Sequence, residues 1–185
     1  SFSNMVNRNL ADLGMPEATF FVQLKRRDKH ENFSRDGAET VQFLFKPHAA
    51  DDLKSVTQIA SGGELSRINL AIQVATAGKF PKPTLVFDEV DVGIGGRTAT
   101  KVGKMLSNLA KQTQLLIITH QAQVAGQASW QMHVSKINND GEAKSVTKIL
   151  SKYERIQEIS RMIGGYEINE TTARAAEELL NLNQS

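Results

Sequence analysis

Hydrophobic residues recur along the chain at two spacings, which predict helices and strands in alternation. Helices with one apolar stripe are predicted over residues 3–14, 64–78, 97–112, 153–163 and 170–182. Strands are predicted over residues 20–24, 41–45, 84–89, 114–120, 130–137 and 143–150. Turn residues at Asp36-Gly37 and at 138–141 separate two pairs of these strands and predict two hairpins.

The middle of the chain alternates helix with strand. Strands 84–89 and 114–120 are apolar almost throughout, which is typical of a parallel sheet with helices on both faces. We therefore expect an α/β fold: a mostly parallel sheet flanked by helices, with β-hairpins at the periphery. Residues 1–185 should form a single domain.

Composition excludes several classes of protein. The chain has 185 residues and no cysteine, so it has neither a disulfide framework nor a thiolate metal site, which is compatible with a reducing compartment. No apolar run approaches the roughly 20 residues of a membrane-spanning helix. The formal net charge of +2 decides nothing about nucleic acid, because a nearly neutral domain can carry a basic face.

The segment Ser61-Gly62-Gly63-Glu64 opens the second predicted helix. Ser61 and Glu64 have the spacing of a capping box, which is a purely structural interpretation. That interpretation leaves the two glycines unexplained, since each costs a helix about 1 kcal/mol relative to alanine. Bare backbone at a helix N-terminus favours the close approach of an anion such as a phosphate.

Asp88 and Glu89 end an apolar strand. In open α/β sheets, ligands bind beyond the carboxyl ends of the strands. Two adjacent carboxylates there are costly to desolvate unless a cation such as magnesium offsets their charge. The alternative is a surface turn with two solvated acids.

His120 ends the next apolar strand. A lone histidine at a strand end is more often structural than catalytic. However, parallel strands end at the same edge of a sheet, so His120 should leave it beside Asp88 and Glu89.

The glycines at 93, 95 and 96 follow a strand and open a helix, as in a dinucleotide fingerprint. That fingerprint requires a third glycine where this chain has Thr98. We interpret these glycines as a tight loop, which excludes a Rossmann dehydrogenase on this motif.

Three segments in order carry a specific resemblance. SGGELSR (61–67), TLVFDEVD (84–91) and IITHQ (117–121) resemble the signature motif, Walker B strand with D-loop, and switch histidine of ABC-type ATPase heads. Within that superfamily, four further segments resemble the RecN family of bacterial SMC-like DNA repair proteins. These are LADLGMPEATF (10–20), DEVDVGIGGRTA (88–99), THQAQVAGQA (119–128) and ERIQEISRMIGG (154–165).

The resemblance implies a role for each matching residue. Ser61, Gly62 and Gly63 would contact the γ-phosphate of an ATP bound to the opposite subunit, and Asp88 would hold Mg²⁺ through water. Glu89 would be the general base that activates the attacking water. Asp91 would lie in the D-loop across the dimer interface, and His120 would sense the γ-phosphate.

One family motif has no counterpart here. The chain contains no G-x-x-x-x-G-K-[ST], the Walker A loop that cradles phosphates. In the family, that loop belongs to an N-terminal lobe separated from this one by a long coiled coil. We therefore expect a C-terminal lobe that is inactive alone.

The expected parts follow from that arrangement. The resemblance implies the end of a coiled-coil arm, a hairpin and linker, a core with the motifs, and a C-terminal hairpin with helices, over residues 1–14, 15–60, 61–128 and 129–185. The implied partners are the N-terminal lobe, a second head in a homodimer, and DNA held mainly through its backbone, with no membrane. The implied location is the cytoplasm, in association with the nucleoid.

Two alternatives remain open. The fold could serve as a non-catalytic scaffold that dimerises or tethers DNA, although such a scaffold has no need of Glu89 and His120. Lys25, Arg26, Arg27 and Lys29 cluster on the first hairpin. A solvated hairpin explains that cluster better than phosphate contacts do, so the link to DNA rests on the resemblance.

Overall fold

Helices and short sheets alternate in the computed structural model, which describes residues 1–27, 35, 37–77, 79, 83–139, 142–165 and 169–181. The helices are α1 (Phe2–Asp12), α2 (Gly62–Thr76), α3 (Gly96–Ala110), α4 (Ala122–Ala125), α5 (Lys152–Gly164) and α6 (Glu170–Asn181). The strands are β1 (Thr19–Arg26), β2 (Glu39–Lys46), β3 (Lys54–Ser55), β4 (Thr84–Phe87), β5 (Gln114–Ile117), β6 (Met132–Asn139) and β7 (Glu142–Ile149).

Every predicted helix and strand is present, with ends that differ by a few residues. Sequence patterns missed β3 and α4, because two and four residues are too short to show a periodicity. Asp36, Asp140 and Gly141, which supported the two predicted hairpin turns, lie outside the described residues. Both hairpins are confirmed by antiparallel pairing of β1 with β2 and of β6 with β7.

The chain forms two compact units. The first comprises Ser1–Ile94 with Leu109–Ile118, and the second comprises Gly95–Asn108 with Thr119–Ser185. Among the described residues, no helix is both long enough and apolar enough to cross a membrane.

In the first unit, α1 packs against the β1–β2–β3 sheet and α2. The apolar residues that this packing removes from water include Val6, Leu10, Leu13, Phe20, Phe45, Ile68 and Leu70. Asn7 receives the Phe20 N–H at 2.7 Å and donates to the Phe20 carbonyl at 3.2 Å, and Asn9 donates to the Ala71 carbonyl at 2.9 Å. These partly buried polar contacts fix α1 on both neighbours.

The predicted parallel pair is confirmed, since β4 and β5 run parallel with Phe87 opposite Ile117. One face of this pair is exposed in the described residues. Val86, Leu116 and Ile118 share one face and are 57%, 39% and 53% exposed, whereas Phe87 on the other face is buried. An exposed apolar face of this kind is typical of a surface that another element covers.

In the second unit, α4, α5 and α6 form a small core. Its buried members are Ala122, Ile159, Ala176 and Leu180. A full capping box between Ser151 and Glu154 starts α5. Arg155 on the same helix donates to the carbonyls of Ala128 and Ser129 at 2.7 and 3.2 Å, which ties the segment after α4 to α5.

Candidate phosphate and metal site

Helix α2 begins at the two glycines predicted to face an anion. Ser61 is its N-cap, and its Oγ accepts the Glu64 N–H at 3.3 Å. This bond is one half of the predicted capping box. Gly62 and Gly63 occupy the first turn, where backbone N–H groups have no partner within the helix.

A tight turn follows β4, and we call residues 88–92 the acidic turn. The Val92 N–H donates to the Glu89 carbonyl at 3.2 Å. Glu89 has a φ of 58°, which makes it the one non-glycine residue with positive φ among the described residues. A bulky residue in this left-handed region is strained, and such strain concentrates at functional sites.

The acidic turn lies directly against the start of α2. A Cβ atom built on Gly62 would overlap the Glu89 Oε2 atom, so no side chain fits at residue 62 while the carboxylate stays there. A Cβ on Gly63 would lie 3.4 Å from the Glu89 carbonyl oxygen, which is ordinary contact. The bare backbone of Gly62 therefore has a reason within this chain: it accommodates the Glu89 carboxylate.

Two side chains of α2 reach across to the acidic turn. Ser66 Oγ donates to the Asp88 carbonyl at 2.5 Å, and Arg67 Nη1 donates to the Val92 carbonyl at 2.7 Å. Sequence reasoning missed both residues. The sequence feature that could have indicated them is their position in the SGGELSR segment, directly after the capping residues.

The two aspartates of the acidic turn differ in exposure. Asp88 is exposed, so its carboxylate is available to a cation at the carboxyl end of β4. Asp91 is only 1% exposed and lies next to Val90, which is fully buried. Because the Asp91 side chain is buried, it helps to shape the turn itself.

His120 follows β5 but belongs to the second unit. Its Nε2 atom lies 3.4 Å from Gln121 Nε2, and the Gln121 N–H donates to Thr119 Oγ1 at 3.0 Å. The structure thus brings Gly62 and Glu89 together within one unit. The predicted position of His120 beside them stays a prediction.

Two solved structures share this fold. The Smc head domain from Pyrococcus yayanosii aligns with a TM-score of 0.59 over 86% of this chain and 28% of that one, at 21% identity. An Smc head domain from Pyrococcus furiosus aligns with a TM-score of 0.54 over 86% of this chain and 37% of that one, at 24% identity. The fold of this chain is therefore that of the SMC head domains.

The sequence specifies the family further. Residues 15–143 match the RecF/RecN/SMC N terminal domain family, and the chain belongs to that family. The chain is similar to the DNA repair protein RecN of Streptomyces coelicolor, with 39% identity over 97% of the chain and 33% of that protein. RecN of Vibrio cholerae is 41% identical over 95% of the chain and 31% of that protein. The resemblance to RecN predicted from the motifs is confirmed.

The chain spans about a third of the length of these curated relatives. Its similarity to them runs through almost all of its own residues.

Proposed function

We propose that this chain is the C-terminal part of an SMC-like ATPase head that acts in DNA repair. The observation that carries this proposal is the packing of the Glu89 carboxylate against Gly62. The segment proposed to contact the ATP of the opposite subunit and the segment proposed to supply the general base therefore pack together in the first compact unit. Membership of the RecF/RecN/SMC family and similarity to proteins named for DNA repair support the same function.

The residues present fit part of an ATP and Mg²⁺ site. The open backbone at the start of α2 offers N–H groups to a phosphate. Asp88 offers one exposed carboxylate, and Mg²⁺ typically takes one or two carboxylates together with water and phosphate oxygens. The described residues hold no group of three or more His, Cys, Asp or Glu that could bind a metal by themselves. The remaining ligands come, in this proposal, from ATP and the other lobe.

Each residue then has a distinct role. Ser61, Gly62 and Gly63 bind the γ-phosphate of an ATP held by the opposite subunit. Asp88 would hold Mg²⁺ through water, and Glu89 would accept the proton of the attacking water.

Two further residues complete the assignment. Asp91 supports the D-loop at the interface between two heads. His120 contacts the γ-phosphate from the end of β5. The chain alone is inactive, because it lacks a Walker A loop to hold the nucleotide.

The proposed partners are an N-terminal lobe, a second head and DNA. The exposed face formed by Val86, Leu116 and Ile118 supports the first of these, because an apolar sheet face is stable when another element covers it. DNA contacts are proposed to be mainly with phosphates and therefore sensitive to salt.

ATP binding measured by calorimetry tests this function. We expect no binding by the chain alone, and binding once a separately expressed N-terminal lobe with the Walker A loop is added. Tight binding by the chain alone would contradict the split site. Glu89→Gln is the matched variant for the assembly of this chain with the N-terminal lobe. It should preserve ATP binding and abolish ATP hydrolysis. Absence of ATP hydrolysis by the wild-type assembly would instead favour the non-catalytic scaffold, and unchanged turnover in Glu89→Gln would show that Glu89 is not the general base.

A further inference from the structure

The acidic turn is held at both ends by helix α2. Ser66 Oγ donates to the Asp88 carbonyl at 2.5 Å, where the turn leaves β4. Arg67 Nη1 donates to the Val92 carbonyl at 2.7 Å, where the turn ends. Two consecutive residues of α2 therefore hydrogen-bond to the two ends of the turn that contains Asp88 and Glu89.

Arg67 is itself fixed in place. Its Nε lies 3.4 Å from Met15 Sδ, in the segment between α1 and β1. The side chain is half-buried, and burial lowers the pKa of its guanidinium, while the charge of Glu64 acts in the opposite direction. A charged donor makes a stronger hydrogen bond to a carbonyl than a neutral donor does.

The acidic turn needs such support. Glu89 adopts a φ of 58°, which a glutamate does not prefer. The internal bond from the Val92 N–H to the Glu89 carbonyl is 3.2 Å long, at the weak end of the usual range. Strained backbone persists only where its surroundings impose it.

We propose that Ser66 and Arg67 are positioning residues for ATP hydrolysis. They hold the acidic turn so that the Glu89 carboxylate stays against Gly62, and neither side chain contacts the nucleotide. This proposal rests on the proposed function of Asp88 and Glu89. A base displaced by about 1 Å loses much of its catalytic effect, which is why the support matters.

Hydrogen exchange of the chain by itself tests whether the support exists. We expect Arg67→Gln to speed exchange of the Val92 amide by about tenfold, because local opening of the turn becomes easier. Arg67→Lys, which keeps the charge but loses the planar fork, should restore part of the protection. Ser66→Ala removes only a hydroxyl and carries the test if Arg67→Gln does not fold.

Arg174→Gln is the matched control, because it removes an exposed helix arginine that pairs with Glu170 at 2.6 Å. Its exchange over residues 88–92 should equal that of the wild type. Unchanged exchange in Ser66→Ala and Arg67→Gln would overturn the proposal. An increase spread evenly over α2 and β4 would overturn it as well, because it would indicate general destabilisation.

Kinetics test whether the support serves catalysis. In an assembly of this chain with the N-terminal lobe, Arg67→Gln should lower kcat by about tenfold or more and leave KM for ATP within about threefold. A raised KM with unchanged kcat would make Arg67 a nucleotide contact and overturn the positioning role. If the wild-type assembly hydrolyses no ATP, the proposed function fails, and the exchange result still decides by itself whether the support exists.

Discussion

The carboxylate of Glu89 lies against the bare backbone of Gly62, so that no side chain at residue 62 is compatible with its position. The contact joins the turn after β4 to the first residue of α2. It ties two sequence motifs, separated by more than twenty residues, into one structural feature. The first prediction follows from it directly.

Gly62→Ala should displace the Glu89 carboxylate without unfolding the chain. The overlapping atom is the end of a flexible side chain, which can rotate away, so the free energy of unfolding should change by no more than about 1 kcal/mol. Turnover of the assembly with the N-terminal lobe should fall by about tenfold or more. Gly95→Ala is the control, since a Cβ there would meet nothing within 4 Å and the proposed site does not include this residue. Equal turnover in the two variants would show that the contact has no catalytic value.

Replacing Glu89 should separate stability from activity. Glycine adopts a positive φ without strain, so Glu89→Gly removes the strain at this residue, whereas Glu89→Ala retains it. We expect Glu89→Gly to be about 1 kcal/mol more stable than Glu89→Ala in thermal or urea unfolding, because the left-handed region costs a non-glycine residue about this much. Both variants should lose ATP hydrolysis. A Glu89→Ala variant as stable as Glu89→Gly would mean that the turn is not strained.

The start of α5 should make stability depend on pH. A hydrogen bond from Lys148, followed by bonds from the Ser151 backbone and side chain, lowers the pKa of Glu154 from 4.5 to about 2. A lowered folded-state pKa contributes stability above the unfolded value, and that contribution is lost as the pH falls from 4.5 towards 2.

Unfolding midpoints measured across this pH range check the prediction. Glu154→Gln should remove the part of the acid sensitivity that comes from this site. Lys148→Met should reduce it, since it deletes the largest cause. Identical midpoint curves for wild type and Glu154→Gln would rule out the effect.

The exposed face of the parallel strands should bind the N-terminal lobe. Val86→Lys changes a residue that is 57% exposed, so the stability of the chain should shift by only about 0.5 kcal/mol. Binding of the lobe, measured by calorimetry, should weaken by at least about tenfold, because a charge would be buried in the new interface. Leu24→Lys, at a residue that is 59% exposed on β1, is the control and should bind the lobe normally. Undiminished binding by Val86→Lys would place the lobe elsewhere.

Much of the fold could be predicted from local patterns. The amphipathic helices α1, α3, α5 and α6 and the hairpin strands follow from spacing alone, because their apolar residues repeat with the period of the element. The apolar runs of β4 and β5 correctly indicated a parallel pair. One face of this pair is exposed in the chain. Composition could not indicate that exposure, because a strand buried on both faces and a strand whose second face a separate partner covers have the same composition.

The sequence by itself determined which chemical groups the chain carries. The order SGGELSR, TLVFDEVD and IITHQ identified the family and the candidate phosphate and metal residues, since each motif is local. Only the tertiary structure decided how they meet. The approach of Glu89 to Gly62, the positive φ of Glu89 and the bonds from Ser66 and Arg67 depend on packing between α2 and the end of β4. Contacts between residues far apart in the chain leave no periodic trace in it, so no local pattern could have revealed them.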